Sequence, residues 1–479
     1  MQHGQPDLIW VMTDQQRYDH VGWFPGAQVQ TPTLDRLAAE GVIFDNCYSG
    51  STTCVPARTS LLTGLLDHRA PYAAKWVLAE GTFTMPRALR AAGYQTALIG
   101  KMHFTPFGAD HGFEHLEVSE HFSSYPGDPT EWDALDHYHD WLAERGLPDW
   151  RFEVPGGLGP IYPYPSDTHP TSWVRDRTLE FLAHGRDRTR PLLLVVSFPH
   201  PHPALNPPEP YASMYDPAAM VVDPDGARLN DRLPASFRRA TAQEDHPDRR
   251  VHPERLAHHR AELARTLGLI TQIDDAVADV VAQLDLTRAL VWFTSDHGDY
   301  GARRGLVRKV PWIPFDDLAK VPGFATGGLV AGGRREDGLV QSFDLATTFL
   351  DAAGILDDLV DEADPATSGV GVGPFDGVSL LPLLTDPTAT ADPERMVWSA
   401  VSMGWPMVRR GPHKYIRETG WGQEALFDVV GDPDETLNFA DHPLGREPRD
   451  ELAAAVDRQL AAPLAVLPPT PPLTTPEPA

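Results

Sequence analysis

The chain has 479 residues, 42% of them hydrophobic and 22% charged. This is the composition of an ordinary soluble globular protein, large enough for one big domain with a smaller one beside it. A formal net charge of −27 argues against nucleic acid or anionic lipid as a general partner, so a site for an anion must supply its own positive charge. Two cysteines, Cys47 and Cys54, are too few for a disulfide framework, and a bridge between them is not the expected state.

The opening "MQHGQPDLIWVMTD" has no basic region ahead of its short apolar run. It reads as neither a signal peptide nor a membrane span, and the expected location is the cytoplasm. "DLIWVM" (7–12) is the first strand candidate, followed by a helix in "TPTLDRLAAEG" closed by glycine. "CVPARTSLLTG" (54–64) then sets a thiol beside Pro56 and Arg58 at the entrance to an apparent helix. A helix N-terminus and an arginine both favour an anion at that position.

A second glycine-closed helix, "TMPRALRAAG", leads into the strand "QTALIG" (95–100). Residues 104–170 and 205–250, rich in Pro, His and Asp, read as long loops that shape a cleft. In the first of these Trp132, Trp150 and Tyr162, with Trp173 just beyond, suit either an apolar wall or the core. Between the two lies the strand "PLLLVVSF" (191–198). A long helix fits from about Pro253 to Leu284, and "ALVWFTS" (289–295) is the last strand of this type.

This alternation predicts an α/β fold, a large mostly parallel sheet sandwiched by helices, over residues 1–385. After "DGVSLLPLL" (376–384) the pattern changes to "RMVWSAVSM", "PMVRRGPHKYIRE" and "EALFDVVGD", the antiparallel strands of a small α+β subdomain (386–462). Residues 463–479 form a proline-rich tail.

Each strand is followed by polar residues: Asp14 and Gln15 after the first, Lys101 and His103 after the second, His200 and His202 after the third, Asp296 and His297 after the last. In an open parallel sheet the carboxyl ends of the strands gather at one edge, where ligands bind. Two aspartates among cationic and imidazole groups suit a divalent cation holding a tetrahedral oxyanion. Singly, each has a plainer reading. An Asp after a strand is commonly a cap, and His200 and His202 in "PHPHP" suit solvated loop positions. Lys101 does not sit in a P-loop, since Met102 stands where Ser or Thr is needed. "GVGVGPFDG" follows no strand and reads as a loop, and Arg303 and Arg304 read as surface charges.

"CVPARTSLLTG" matches at every defined position the C-x-P-x-R-x-x-L-x-T-G signature of the type I sulfatases of the alkaline phosphatase superfamily, and the chain resembles that family. "VMTDQQR", "GKMH", "SFPHPHPALNPPEPY" and "TSDHGDYGARRGLVRK" resemble its metal and substrate segments, and "SFDLATTFLDAAGI", "DGVSLLPLL" and "HKYI" its later landmarks. Two departures stand out. Gln15 occupies a place where many members have Asp, and Ala302, Arg303, Arg304 and Gly305 replace a G-D-H-G. Gln15 with His297 resembles the branch holding phosphonate monoester hydrolases and some bacterial sulfatases, while Lys101 and His103 lean towards sulfate esters.

The resemblance implies that a formylglycine-generating enzyme oxidises Cys54 to Cα-formylglycine. It implies one divalent cation, Ca2+ with Mn2+ as the alternative, held by Asp14, Gln15, Asp296, His297 and residue 54. Arg58 would orient the hydrated aldehyde. Lys101, His202 and Lys309 would neutralise the sulfate oxygens, and His103 or His202 would move the proton. The implied partner is a small-molecule sulfate ester, with no nucleic acid or membrane and with a homo-oligomer open. Three rivals share these residues: a phosphonate monoester or phosphodiester hydrolase, an inactive binding protein, and a hydrolase using the Cys54 thiol itself.

Overall fold

In the computed structural model, strand β1 (Asp7–Asp14) lies near the middle of an eight-stranded sheet and sets its layering. The structure describes residues 4–74, 77–103, 109–120, 136–147, 161–223, 225–243, 256–361 and 374–465. The other strands of this sheet are β2 (Val42–Tyr48), β3 (Gln95–Gly100), β4 (His115–Val118), β5 (Leu192–Pro201), β6 (Ala289–Ser295), β7 (Gly323–Gly327) and β8 (Arg334–Gln341). Their spatial order is β8-β2-β7-β6-β1-β5-β3-β4. All pairs are parallel except those made by β7, which runs against β2 and β6.

Successive side chains of a strand point to opposite faces, so β1 feeds two cores. Leu8, Trp10 and Met12 pack with Leu61 and Leu62 of helix α1 (Cys54–Thr63), Leu89 of α2 (Met85–Ala91) and Phe349 of α3 (Asp344–Ala352). Ile9 and Val11 pack on the other face with Leu34 and Leu37 of the helix Pro32–Glu40. That face also carries Trp173 and Val174 of α4 (Pro170–Glu180) and Ile273, Val277 and Val280 of α5 (Leu256–Val281). Burial on both faces is why the central strands read as unbroken apolar runs.

The expected α/β class holds, and all four expected strands form. The sheet's other strands escaped the sequence reading because their patterns are weak. β4 and β8 are edge strands carrying charge, and β7 (GFATG) is short with a glycine at each end. The segment read as loop over 104–170 therefore contains an edge strand and the helix His137–Glu144, and that over 205–250 contains the helix Ala235–Gln243. Tyr162 and Trp173 are core residues, while Trp132, Trp150 and the loop "GVGVGPFDG" up to 373 lie outside the described residues. Gly41 does close its helix, but with φ −107° it has no left-handed turn. A Cβ there would come within 2.2 Å of the Ala325 carbonyl, so the glycine admits β7.

Strands Met396–Ser399, Met407–Arg410, His413–Arg417 and Glu424–Asp428 form the expected antiparallel sheet in sequential order. The helix Arg446–Leu460 covers it, with Leu452 and Val456 packed beside Trp398 and Val408. Of the proline-rich tail, residues 466–479 lie outside the described residues.

Buried charge fastens this sheet to the segment after β6. Lys414, fully buried, lies 2.7 Å from Asp316 and 2.8 Å from Glu435. Arg304 is only 2% exposed, lies 3.2 Å from Asp317 and stacks over Phe315. It is an interior strut, correcting its reading as a surface charge. The partly exposed Arg303 pairs with Asp434 and Asp317.

Removing one partner of such a network leaves uncompensated charge in a dry interior. Lys414→Met should therefore lower unfolding stability by about 3 kcal/mol in urea denaturation. A loss below about 1 kcal/mol would show that the two carboxylates stay solvated.

Candidate active site

Strands β6, β1, β5 and β3 are consecutive and parallel, so their carboxyl ends form a row. Asp14 ends β1, and Lys101, His202 and Asp296 each follow their strand by one residue. Helix α1 begins at the same edge with Cys54, and Arg58 stands one turn along it on the same side. The left-handed Gly64, φ 70°, ends that helix and donates its N–H to the Ser60 carbonyl. Both cysteines are buried free thiols, and Cys47 belongs to the core beneath the sheet.

The Arg58 guanidinium, 1% exposed, joins the row. Its Nε donates to Asp296 Oδ2 at 2.8 Å and its Nη2 to Asp14 Oδ2 at 3.0 Å. Its Nη1 donates to the Lys101 carbonyl at 2.7 Å and to Ser197 Oγ at 3.1 Å. These contacts hold the two carboxylates in place. Lys101 Nζ contacts Asp14 Oδ2. Cys54 Sγ lies 2.9 Å from Lys309 Nζ, 3.2 Å from His297 Nε2 and 3.8 Å from Asp14 Oδ1.

The electrostatics follow from this crowding. Burial would raise the Asp14 carboxyl, but Lys101, His202, Arg58 and Lys309 hold it well below the usual range. Burial and Asp14 push the Cys54 thiol up, and Lys309, Lys101 and His297 together bring it below its usual value. His103 and His202 are pushed well down, first by burial and then by the neighbouring lysines. Three side-chain cations, Arg58, Lys101 and Lys309, thus face two carboxylates. The site supplies positive charge locally inside an acidic protein.

The donor set fits a cation. Asp14, Cys54, Asp296 and His297 each offer one ligand atom, all within 4.8 Å of one another. Arg58 occupies Oδ2 of each aspartate, which leaves each Oδ1 turned to the cluster. His297 Nδ1 is 2.8 Å from the Gly298 carbonyl, which only accepts, so Nδ1 carries a proton and Nε2 is the nitrogen turned to Cys54. Gln15 is 3% exposed, and its Oε1 is buried with no hydrogen-bond partner among the described residues. Gln15 follows Asp14 directly and its N–H donates to Asp296 Oδ1, so this buried, unpartnered amide oxygen is available as a further ligand to a cation.

Asp14, Cys54, Arg58, Lys101, Asp296, His297 and Lys309, expected at one site from the sequence, are in contact with one another in this region. Lys309 reaches it from the segment after β6, and His103 borders Lys101 with φ 61°. His202 Nδ1 is 2.7 Å from the Pro203 carbonyl, which leaves Nε2 without the proton. His200 stacks on His169.

The sequence reading missed three supports. Ser197 anchors Arg58. Asp299 accepts from the Gln15 amide. Glu120, pushed up to about 7 chiefly by burial, accepts from the N–H groups of Met102 at 3.2 Å and His103 at 2.8 Å. Asp299, three residues past Asp296, was visible in the pattern; Glu120 lay in a segment read as loop.

Residues 6–355 match the family model described as Sulfatase. An arylsulfatase from Clostridium perfringens is 26% identical, the alignment covering 95% of this chain and 94% of the relative. A choline-sulfatase from Rhizobium meliloti is 28% identical, with 96% and 87% covered. The fold matches the solved structure of a phosphonate monoester hydrolase from Silicibacter pomeroyi with a TM-score of 0.75 at 22% identity, covering 95% of both chains.

Lys309→Ala should reduce kcat/KM by roughly 100- to 1,000-fold with the melting temperature retained, because it removes a cation beside residue 54. Arg304→Ala should do the reverse, lowering the melting temperature because the buried Glu435 loses its contact with Arg304 and Asp317 keeps only the partly exposed Arg303, while activity of the folded fraction persists. Equal activity losses in the two folded variants would place the anion pocket elsewhere.

Proposed function

The chain belongs to the sulfatase family, and from that premise we propose that it hydrolyses a sulfate monoester, with residue 54, oxidised from cysteine to Cα-formylglycine, as nucleophile. The observation that carries this reading is the place of Cys54. Its side chain stands at the head of a buried helix, against Lys309, His297 and Asp14, at the centre of a cation-ligand cluster. A structural thiol needs no such surroundings, and burial in an apolar core, as at Cys47, is the ordinary alternative.

The hydrated aldehyde carries two hydroxyls on one carbon. One hydroxyl gives up its proton and its oxygen attacks sulfur as the bond from sulfur to the alcohol oxygen breaks; the departing alcohol oxygen takes up a proton, and the sulfuryl group passes to residue 54. The second hydroxyl then gives up its proton. The bond from carbon to the sulfated oxygen breaks, sulfate leaves, and the aldehyde is restored for hydration by water. A bound divalent cation would supply Lewis acidity there, lowering the pKa of a hydroxyl on residue 54. Asp14, Gln15, Asp296 and His297 would hold it. The oxygen ligands suit Ca2+, and the imidazole suits Mn2+ as well.

Lys101 and Lys309 neutralise the sulfate oxygens, a role the resemblance also gave to His202, which here is held neutral. His202, with its proton on Nδ1, offers Nε2 to receive one, and His103 borders the same row. Arg58 keeps the two carboxylates in register, so that neither turns its second oxygen into the site.

Gln15 beside His297 in the ligand set also supports a second reading, hydrolysis of a phosphonate monoester or phosphate diester, substrates with the same tetrahedral centre and single negative charge. The Silicibacter pomeroyi protein of similar fold carries that activity in its name. Parallel assays of an aryl sulfate and an aryl phosphonate monoester rank the two readings. A higher kcat/KM for the sulfate is expected, and the reverse order selects the second.

Exhaustive chelation should abolish turnover, with Ca2+ or Mn2+ restoring it, and Asp296→Ala should cost several orders of magnitude in rate with the fold retained. Full activity in stripped protein would exclude the cation. In protein made with the maturation enzyme present, mass spectrometry of the residue-54 peptide should show the aldehyde or its hydrate. Cys54→Ser keeps one hydroxyl but not the second needed for release, so one slow turnover and a covalent sulfate ester on the introduced serine are expected. Repeated turnover by that variant near the wild-type rate, or full activity with an unmodified thiol, would rule the mechanism out.

A further inference from the structure

We propose that Asp299 is a positioning residue whose carboxylate orients the Gln15 amide, so that Oε1 and not Nε2 faces the cation cluster. The inference rests on the reading of Gln15 as a cation ligand. A glutamine differs from the more usual aspartate ligand in having a wrong face. Its oxygen and nitrogen are nearly identical in shape, but only the oxygen binds a cation, and an NH2 group turned inwards would repel it. A ligand set that uses glutamine therefore needs a device that fixes the amide.

Asp299 has the geometry of that device. Its Oδ2 lies 2.5 Å from Gln15 Nε2. A carboxylate only accepts, so the NH2 of Gln15 must face Asp299, and Oε1 must face away from it. Oε1 is the buried atom with no hydrogen-bond partner among the described residues.

The base of the Gln15 side chain is fixed separately. Residue 15 has φ 65°, and its N–H donates to Asp296 Oδ1 at 3.0 Å. The Asp299 carboxylate is itself held by backbone, since Oδ1 accepts from Gly301 N at 2.6 Å and Arg308 N at 3.2 Å. Arg308 is tied in turn to Glu262 of α5 at 2.9 Å. The reference that orients the amide is thus anchored to a 26-residue helix. The contact to Gly301 is an ordinary Asx turn, so Asp299 also has a plain structural role that the test must separate.

Asp299→Asn separates them. Its amide oxygen can still accept from Gly301 and Arg308, which leaves its NH2 facing Gln15. Gln15 then has to turn its own oxygen outwards and its NH2 into the cluster. Equilibrium dialysis of metal-stripped full-length protein against Mn2+ and Ca2+ should show 10- to 100-fold weaker binding than wild type. The effect should disappear in a Gln15→Ala background, where there is no amide to orient. It should be rescued by Gln15→Glu with Asp299→Asn, because a carboxylate has no wrong face.

Wild-type affinity in folded Asp299→Asn overturns the inference, and so does an equal loss in the Gln15→Ala background. If Asp299→Asn does not fold, the Gln15→Glu, Asp299→Asn protein decides: failure to bind places the role in the loop and overturns the inference. Asp14→Ala is the control for the underlying reading. If wild type binds no cation, or Asp14→Ala binds as well as wild type, the cluster is not a cation site and that reading fails first.

Discussion

Two carboxylates buried a few ångströms apart repel each other, and the bridge that Arg58 makes between Asp14 and Asp296 is what allows them to coexist. Both are fully buried and the arginine is 1% exposed, so solvent does little to screen them. The bridge also dictates architecture. Arg58 must lie below the strand ends, and so α1 must enter the sheet edge with its first turn at the site. Cys54, four residues earlier, then has only one place to be, above the two aspartates. The remaining Arg58 donors tie in β3 through Lys101 and β5 through Ser197, so one side chain reaches all four central strands.

That geometry explains why so much of the site was legible in the sequence. A strand ending in a polar residue leaves its mark locally, and parallel pairing converts four such local marks into one row. The Cys54–Arg58 spacing is likewise local, a single helical turn. What stayed hidden was whatever depends on two distant segments meeting. Nothing near Glu120 announces that its carboxylate will cap the turn after β3, because the edge strand β4 that brings it there is short and partly polar. Arg304 looked like a surface charge because its partners, Asp317 and Glu435, come from separate parts of the chain. The weak strands form because neighbours offer them an edge, β6 chiefly to β7 and β2 to β8, a tertiary gain that outweighs low intrinsic propensity.

The bulk charge of −27 and the cationic site are consistent once distance is considered. Surface carboxylates act through water and salt, which extinguish their field within about 10 Å. Arg58, Lys101 and Lys309 act in a buried pocket where screening is weak. An anion near the surface is repelled, and one that reaches the strand ends is held.

The same economy governs the segment from 303 to 309. It carries Arg303, Arg304, Arg308 and Lys309, and carboxylates from other elements engage the arginines: Asp434 and Asp317 hold Arg303, Asp317 and Glu435 hold Arg304, and Glu262 holds Arg308. Lys309 is the one whose ammonium is turned to residue 54. Four cations pointing inward would bind a free sulfate dianion more tightly than a singly charged ester, and tight product binding slows turnover without helping the chemical step. Neutralising three of them against the scaffold leaves Lys309 as this segment's cation at residue 54. It also makes the arginines structural, which is why a segment so rich in positive charge contributes only one cation to the site.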